Sequence, residues 1–203
     1  MKIISIVGAR PNFMKVAPLH RAFKQNNSIQ SKIIHTGQHF DRAMSTIFFE
    51  ELELPEPDYF LGVGSGTHSI ITAKIMTAIE PILQSELPDL VIVVGDVTST
   101  LACALVANRN GIPVAHVEAG LRSFDRSMPE EINRLLTDQI SDLLSTTERL
   151  ATDHLMKENI SPDKIHFVGN CMIDSLHYYQ KKTSDQSILK QFNLLPASYV
   201  IMT

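Results

Sequence analysis

The sequence predicts an α/β fold, a doubly wound parallel sheet of the Rossmann-like type, from three observations. Short runs of apolar residues alternate with longer stretches of helical character along the 203 residues. The apolar residues of each run are consecutive rather than alternating, which is typical of strands that are buried on both faces. Regular alternation of strand and helix then favours right-handed βαβ units that share one parallel sheet.

Taken in order, the apolar runs predict six strands and the stretches between them predict helices. The strands are expected at residues 2–7, 31–36, 89–94, 113–117, 142–146 and 165–168. The helices are expected near residues 11–25, 42–51, 67–86, 98–109, 130–141, 148–158 and 171–181. Residues 52–66 contain several Pro and Gly residues and are expected to form a loop.

Composition places the chain among ordinary globular proteins and excludes several classes of function. Hydrophobic residues make up 44% and charged residues 20%, with a formal net charge of −4, so no basic surface suggests a nucleic-acid partner. No apolar run is long enough for a membrane span, and the opening run is too short for a signal peptide. Cys103 and Cys171 suggest neither zinc nor a disulfide framework, and Cys103 is expected to be an inert core thiol. We therefore expect a cytoplasmic protein with no membrane partner.

The chain is expected to contain one domain and the start of another. Residues 1–170 hold all the predicted strand–helix units and are assigned to an N-terminal Rossmann-like domain. The composition changes at residues 183–197, and residues 199–203 (YVIMT) resemble the opening of a further strand. Residues 171–203 are therefore expected to comprise a linker helix and the beginning of a truncated C-terminal domain.

Ligands of open parallel sheets bind at the carboxyl ends of the strands, so the loops after the strands carry the functional candidates. After the first strand, Gly8 permits a tight turn, and the next helix offers free N–H groups at its N-terminus. Arg10 and Lys15 add two cations, which suits a phosphate or a sugar phosphate. The segment lacks the P-loop and dinucleotide patterns. A surface Arg and Lys beside a turn explain the spacing equally well.

Carboxylates follow two later strands. Asp96 is expected either to cap the following helix or to point into the crevice, and neighbouring Thr and Ser residues are alternative caps. Glu118 is expected to share a strand face with His116. A glutamate that ends an apolar strand is costly to bury unless it is paired or solvated, so a general acid or base role is favoured. The structural alternative is a Glu118–Arg122 ion pair.

A third carboxylate, Glu130, lies in the first turn of a helix that starts at Pro129. By itself this is an ordinary helix start, because acidic residues there complement the helix dipole. The convergence of several charged residues on one rim favours an acid/base site for an anionic, hydroxylated substrate. The predicted site comprises Asp96, Glu118 and Glu130 together with Arg10, Lys15 and Arg134.

The segment 35–39 (HTGQH) contains two histidines, but Gly37 breaks the helix that paired metal ligands would need. These residues are expected to be loop residues near the crevice. No metal site is expected, and no Ser/His/Asp or Cys/His nucleophile pattern is present.

Six segments together resemble one known family, the non-hydrolysing UDP-N-acetylglucosamine 2-epimerases. They are residues 8–11 (GARP), 35–39 (HTGQH), 94–96 (VGD), 116–122 (HVEAGLR), 129–134 (PEEINR) and 168–170 (VGN). The resemblance runs in order from Met1 to about Thr203, and its most specific blocks are HVEAGLRS and MPEEINR.

The resemblance implies a two-Rossmann arrangement like that of GT-B glycosyltransferases, with the active site between the halves. It implies inversion at C2 of a UDP-amino sugar by elimination of UDP, a glycal intermediate, and re-addition of UDP. Asp96, Glu118 and Glu130 align with the family's catalytic carboxylates, and Arg10, Lys15 and Arg134 align with its substrate-contacting cations. Gln38 and His39 match a possible activator site. No cofactor, metal or nicotinamide is implied, and a homodimer is expected.

Departures from the family pattern leave alternatives open. The stretch 123–129 is shorter than in well-known bacterial members and is similar to that of relatives acting on diacetamido-uronic acid sugars. The family's His-Arg loop and UDP-binding domain would follow Thr203, so the chain alone is expected to bind UDP-sugar weakly and to be inactive. A hydrolysing relative that releases UDP and a non-catalytic sugar-binding domain are the other hypotheses.

Overall fold

The described residues form a parallel β-sheet with helices on both faces. A computed structural model describes residues 1–37, 49–180, 187–195 and 197–201. Its strands are β1 (Lys2–Val7), β2 (Gln30–His35), β3 (Tyr59–Phe60), β4 (Leu90–Val94), β5 (Val114–Ala119), β6 (Leu143–Thr146) and β7 (Ile165–Phe167). Its helices are α1 (Arg10–Lys24), α2 (His68–Glu86), α3 (Thr98–Arg109), α4 (Pro129–Ile140), α5 (Arg149–Lys157), α6 (Cys171–Gln180) and α7 (Ser187–Gln191), with a 3₁₀ turn at Pro162–Lys164.

The strand order confirms the predicted doubly wound sheet. The order is β3-β2-β1-β4-β5-β6-β7, and every neighbouring pair is parallel. The chain runs outward in one direction from β1 to β2 and in the other from β4 to β7. The direction therefore reverses between β1 and β4, which places a crevice at the carboxyl ends of these two central strands.

The six predicted strands are all present, and β3 is an additional strand inside the segment predicted as a loop. It has two residues, paired as Ile34 with Tyr59 and His35 with Phe60. The carboxylate of Asp58 accepts a hydrogen bond from the backbone N–H of Ile33 at 2.8 Å and helps to hold the segment against β2. A strand this short has no detectable periodicity, so tertiary pairing alone reveals it.

Two apolar cores explain why the strands appear as uninterrupted apolar runs. Ile4 and Ile6 of β1 point into a core shared with α2 and α3. Ile3 and Val7 of the same strand point into a second core, shared with α1. Since successive side chains of a strand alternate between faces, a strand covered on both sides needs apolar residues throughout.

Cys103 of α3 is fully buried in the core that α2 and α3 form with the sheet. Burial raises the pKa of its thiol, as expected for an unreactive core cysteine. Most of the helix expected near residues 42–51 lies outside the described residues, because residues 42–48 are not among them. Among the described helices, none is long and apolar enough to cross a membrane.

Helix α6 packs back against α1 although it follows the last strand. The Ser175 hydroxyl donates to the carbonyl of Met14 at 2.6 Å. The Arg21 guanidinium donates to the Tyr179 hydroxyl at 2.9 Å and stacks 3.7 Å from the ring centroid of Tyr178. These contacts fix α6 on the side of the sheet that α1 covers.

At the end of the sheet away from the crevice, the carboxylate of Glu86 contacts residues of β1, β2 and β3. Its carboxylate pairs with Lys32 of β2 at 2.8 Å and with Lys2 of β1 at 3.2 Å. The hydroxyl of Tyr59 in β3 donates to the same carboxylate. One acceptor at the end of α2 therefore links three strands that are distant from one another in sequence.

Candidate active site

The turn after β1 is held by Asn12 in the first turn of α1. Its Oδ1 accepts hydrogen bonds from the backbone N–H groups of Gly8 at 3.0 Å and Ala9 at 2.9 Å. Its Nδ2 donates to the carbonyl of Val94 at 3.2 Å. Asn12 thus ties the carboxyl end of β1 to that of β4. It is not among the predicted site residues, although its place three residues after the cap is typical of a capping side chain.

Gly8 is required by close packing. A Cβ at this position would overlap the Ser99 hydroxyl at the start of α3 and lie 2.9 Å from Oγ1 of Thr36. The first turn of α3 and the segment after β2 can therefore approach the end of β1 only because residue 8 lacks a side chain. Arg10 is the first residue of α1 and is exposed.

Lys15 is buried and does not belong to the surface. Its Nζ lies 2.7 Å from Oε2 of Glu118, and the two side chains are 11% and 20% exposed. A Cβ on Gly95 would lie 3.1 Å from the Lys15 Nζ. Because Gly95 has no side chain, the side chain of Lys15 can pass over the carboxyl end of β4 and reach Glu118 of β5. The alternative of a surface lysine is wrong for Lys15.

Glu118 adopts a left-handed backbone conformation, with φ of 73°. The pairing of β5 with β6 shifts register between Val117 and Ala119, which is the mark of a β-bulge at this residue. A non-glycine residue held at positive φ is strained, and such residues concentrate at functional sites.

The bulge overturns two expectations about Glu118. His116 contacts Asp138 of α4, whereas Glu118 contacts Lys15 of α1, which covers the opposite side of the sheet. The expectation that His116 and Glu118 share a strand face is therefore wrong, because the bulge interrupts the two-residue alternation. The alternative Glu118–Arg122 ion pair is also wrong, since Arg122 pairs with Asp138 at 2.7 Å and with Glu158 at 2.6 Å.

Asp138 of α4 is buried, and its carboxylate binds residues of β5 and of the loop that follows it. One carboxylate oxygen lies 2.6 Å from Nδ1 of His116, and the other accepts from Arg122 and from the N–H of Gly120 at 3.1 Å. Burial alone would raise the pKa of Asp138, but His116 and Arg122 outweigh it and lower the pKa. Asp138 is not among the predicted site residues, because its partners lie 16 to 22 positions away.

Asp96 does not cap α3, because the cap position is occupied by Val97. Its carboxylate instead accepts from Nη1 of Arg134 at 2.6 Å, and its carbonyl accepts from Nδ2 of Asn133 at 2.8 Å. The Asp96 side chain is 32% exposed. Of the two predictions for Asp96, helix capping is therefore wrong.

Glu131 is absent from the predicted site, although it adjoins Glu130. It is 2% exposed and accepts from the backbone N–H groups of Ser123 at 2.9 Å and Phe124 at 3.1 Å, and from Arg134 at 3.1 Å. Burial alone would raise its pKa, but these hydrogen bonds lower it on balance. Glu131 therefore fixes the segment before α4 and also holds Arg134.

Glu130 lies in the first turn of α4 and is half-buried. It is one helical turn before Asn133 and Arg134, so these three residues share a helix face. Both Asn133 and Arg134 contact Asp96. Glu130 therefore lies one helical turn from the two residues that contact Asp96, and its place in the site stays a prediction. Gln38 and His39 lie outside the described residues.

The carboxyl ends of β4 and β5 bring two ion pairs side by side. The N–H of Gly95 donates to the carbonyl of Val117 at 3.0 Å, so Asp96 and Glu118 directly follow two hydrogen-bonded residues. Carboxylates with fixed cations can hold and transfer protons beside an anionic group. Within residues 1–37, 49–180, 187–195 and 197–201, no group of three His, Cys, Asp or Glu side chains is placed to hold a metal ion.

Comparisons with known proteins match this chain to one family. The family model described as UDP-N-acetylglucosamine 2-epimerase matches residues 21–203. A UDP-N-acetylglucosamine 2-epimerase homolog of Methanococcus maripaludis is 48% identical over 100% of this chain and 57% of its own length. The UDP-2,3-diacetamido-2,3-dideoxy-D-glucuronate 2-epimerase of Pseudomonas aeruginosa is 46% identical over 98% of this chain and 57% of its own length.

Among solved structures, the fold matches the crystal structure of the Methanocaldococcus jannaschii UDP-GlcNAc 2-epimerase in complex with UDP-GlcNAc and UDP. The TM-score is 0.91 at 48% identity, over 95% of this chain and 53% of that one. The chain thus spans about half the length of the curated relatives it matches. The family match covers most of the chain and includes the strand ends that carry Asp96 and Glu118. The chain therefore belongs to the UDP-N-acetylglucosamine 2-epimerase family.

Proposed function

We propose that this chain is the acid/base half of a UDP-N-acetylglucosamine 2-epimerase, which interconverts UDP-N-acetylglucosamine and UDP-N-acetylmannosamine. The observation that carries the proposal is the Lys15–Glu118 ion pair on a strained turn. A second carboxylate, Asp96, follows the adjacent strand and pairs with Arg134. Carboxylates that exchange protons and cations that face a diphosphate are the groups this reaction needs.

The proposed reaction is an elimination followed by an addition. A carboxylate removes the proton from C2 of the sugar, and the electrons of that C–H bond form a C1–C2 double bond. The C1–O bond breaks at the same time, and its electron pair leaves with the UDP oxygen. Return of UDP to C1 and of a proton to the other face of C2 gives the epimer, so the sum of the two steps is an isomerisation.

The charges of the crevice support an assignment of roles. Glu118, Asp96 and Glu130 are the candidates for proton transfer, because Asp96 follows β4, Glu118 lies near the carboxyl end of β5, and Glu130 lies in the first turn of α4. Lys15, Arg10 and Arg134 are the candidates for contact with the substrate and its departing diphosphate. The N-terminus of α1 lies at the carboxyl end of β1 and adds a partial positive charge.

The remaining properties of the whole protein are part of the same proposal. A UDP-binding domain beyond residues 171–203 would complete the cleft, as the family resemblance implies, and the chain spans only 57% of one relative and 53% of one solved structure. We further propose a cytoplasmic homodimer with Gln38 and His39 near an activator site. The basis for the dimer and the activator site is the family resemblance.

A related sugar is the second candidate substrate. The Pseudomonas aeruginosa relative that is 46% identical is a UDP-2,3-diacetamido-2,3-dideoxy-D-glucuronate 2-epimerase. The short stretch 123–129 resembles that group, and Glu131 fixes its first two residues, Ser123 and Phe124. Supplying both UDP-sugars to the same preparation distinguishes the two, because only the true substrate will give a C2 epimer at a high rate.

The proposed function is tested on the full-length gene product that contains these residues. With UDP-N-acetylglucosamine in D₂O, proton NMR should show formation of the C2 epimer together with deuterium at C2. Glu118→Gln should lower kcat by about 100-fold, the usual effect of losing a general acid or base. The matched control is Glu80→Gln on the exposed side of α2, which should leave the rate unchanged.

Two results would contradict this proposal. Epimer formation with full retention of the original C2 proton would exclude the elimination step. Stoichiometric accumulation of free UDP and N-acetylmannosamine would identify a hydrolysing enzyme instead.

A further inference from the structure

The ring of His116 is completely buried between β5, the turn after β4, and helix α4. It is 0% exposed. Its Nδ1 lies 2.6 Å from a carboxylate oxygen of Asp138, and its Nε2 lies 2.8 Å from the carbonyl oxygen of Gly95. Both ring nitrogens therefore face an oxygen atom at hydrogen-bond distance.

The chemistry of the two partners determines where the protons lie. A backbone carbonyl can only accept, so Nε2 of His116 must carry a hydrogen to bind Gly95. An ionised carboxylate also only accepts, so Nδ1 must carry one as well. A neutral imidazole has a single N–H, and two are present only in the imidazolium.

The alternative is a neutral His116 beside a protonated Asp138. The other carboxylate oxygen of Asp138 accepts from the Arg122 guanidinium at 2.7 Å and from the N–H of Gly120 at 3.1 Å. These donors favour the ionised carboxylate, because a nearby cation and hydrogen bonds to the charged form both oppose protonation. The geometry therefore favours a proton on the ring.

The charges around His116 balance. Arg122 and Asp138 have side chains that are 1% and 0% exposed, and Arg122 also pairs with Glu158, which is 26% exposed. A positive His116 gives two cations and two anions in one connected row. Buried charges are tolerated when they are paired and hydrogen-bonded, and a neutral ring would leave this row with an excess negative charge.

We propose that His116 donates from both ring nitrogens, as an imidazolium, and so positions the two turns carrying Asp96 and Glu118. Through Nε2 it holds the carbonyl of Gly95, the residue before Asp96. Through Nδ1 and Asp138 it holds the N–H of Gly120, two residues after Glu118. With Asp138 ionised, only a ring with two N–H groups makes both contacts. The meaning for catalysis rests on the proposed function, whereas the charge state of the ring is independent of it.

The first test is nitrogen-15 NMR of the histidine rings in this chain without any substitution. At about pH 8, both ring nitrogens of His116 should carry a hydrogen, because each of them faces an acceptor oxygen. His35 provides a neutral reference in the same spectrum, because burial lowers its pKa to about 4. An unprotonated ring nitrogen on His116 at this pH would overturn the proposal.

The second test replaces the acceptor. In Asp138→Asn, Nδ1 of His116 should lose its proton at the same pH, because the amide can donate to it. A ring that stays doubly protonated in this variant would contradict the assigned pairing. If Asp138→Asn does not fold, the measurement on the unsubstituted chain decides the charge state alone.

The positioning role is tested by amide hydrogen exchange in His116→Gln, which retains a donor without a charge. Protection should fall by about tenfold at the Gly120 N–H, which donates to Asp138, and at the Gly95 N–H, which donates to Val117 from the turn that His116 holds, while Ile75 in α2 should be unaffected. His20→Gln is the matched control, since His20 is buried in α1 and contacts Ser31 of β2 instead. Equal loss of protection throughout the sheet, or no loss at the two glycines, would reject a positioning role.

Discussion

Glu130 and Glu131 are adjacent in sequence, identical in type and different in environment. Glu131 is buried and holds the segment 123–124 and Arg134, whereas Glu130 is half-buried on the face that carries the Asp96 contacts. A helix turns about 100° per residue, so neighbours point in different directions. A catalytic assignment for one of them therefore says nothing about the other.

Replacing Glu131 with Gln should destabilise the fold by about 2 kcal/mol. The amide cannot accept the charge-assisted bond from Arg134 and all the N–H bonds of Ser123 and Phe124 at once. Urea unfolding measures the loss. Glu130→Gln is the matched control and should change the stability by less than about 0.5 kcal/mol. Equal losses in the two variants would show that Glu131 has no special structural role.

At the residue scale, the sequence correctly placed Asp96 and Glu118 on neighbouring strand ends, but the alternative of a Glu118–Arg122 ion pair is wrong. Arg122 is four residues from Glu118, yet Glu118 pairs with Lys15, which is 103 positions away. The bulge at Glu118 turns its side chain toward α1. The positive φ of Glu118 could not be predicted from the sequence, because glutamate has no preference for that conformation.

Strand β5 and helix α5 meet at Gly120, where the backbone adopts a φ of 79°. A Cβ at this position would overlap the carbonyl oxygen of Ala151 and lie 3.0 Å from Cγ of Leu155. The glycine therefore serves both the backbone conformation and the close approach of the helix.

Gly120→Ala should lower the free energy of unfolding by about 3 kcal/mol, because strain at positive φ adds to the overlap with α5. Gly111→Ala is the matched control. Gly111 also has a positive φ, of 70°, but apart from Gly111 itself and its two chain neighbours, no heavy atom of the described residues lies within 4 Å of the place that its Cβ would take. Its cost should be about 1 kcal/mol, from the backbone alone. Thermal and urea denaturation measure both variants, and similar losses would exclude the helix contact as a cause.

At the element scale, long buried strands and amphipathic helices were predictable and short tertiary pairings were not. The runs at β1, β4 and β5 contain enough consecutive apolar residues to be recognised. Strand β3 consists of Tyr59 and Phe60 and exists because β2 offers a free edge. Pairing between segments distant in sequence is a property of the folded sheet.

Across the whole molecule, the Glu86 cluster links acid stability to the assembly of the sheet. Hydrogen bonds from Lys32 and Tyr59 hold the pKa of Glu86 at about 2, below its ordinary value of 4.5. Between these two pH values the unfolded chain binds a proton that the folded chain does not. The stabilisation is therefore complete above about pH 4.5 and is lost as the pH falls toward 2.

Glu86→Gln should destabilise the protein by about 1 kcal/mol near neutral pH, the scale of a partly exposed charge network. The difference from the unsubstituted chain should shrink as the pH falls below 4.5. Urea unfolding at a series of pH values measures it. Glu80→Gln, on the same helix but exposed, should show no such pH dependence. A Glu86 effect that is constant with pH would contradict the assigned ion pairs.

The order of residues along the chain was enough to predict the fold class and the family, which are confirmed, and a rim that carries Asp96, Glu118 and Glu130. The fold class and the rim follow from apolar periodicity and from the rule that parallel strands end at one edge. The folded molecule alone revealed that Lys15 pairs with Glu118, that Glu131 and Asp138 are buried anchors, and that both nitrogens of His116 are engaged. Those contacts join elements far apart along the chain, and they depend on side-chain directions that a bulge or a helical turn sets only after the sheet has formed.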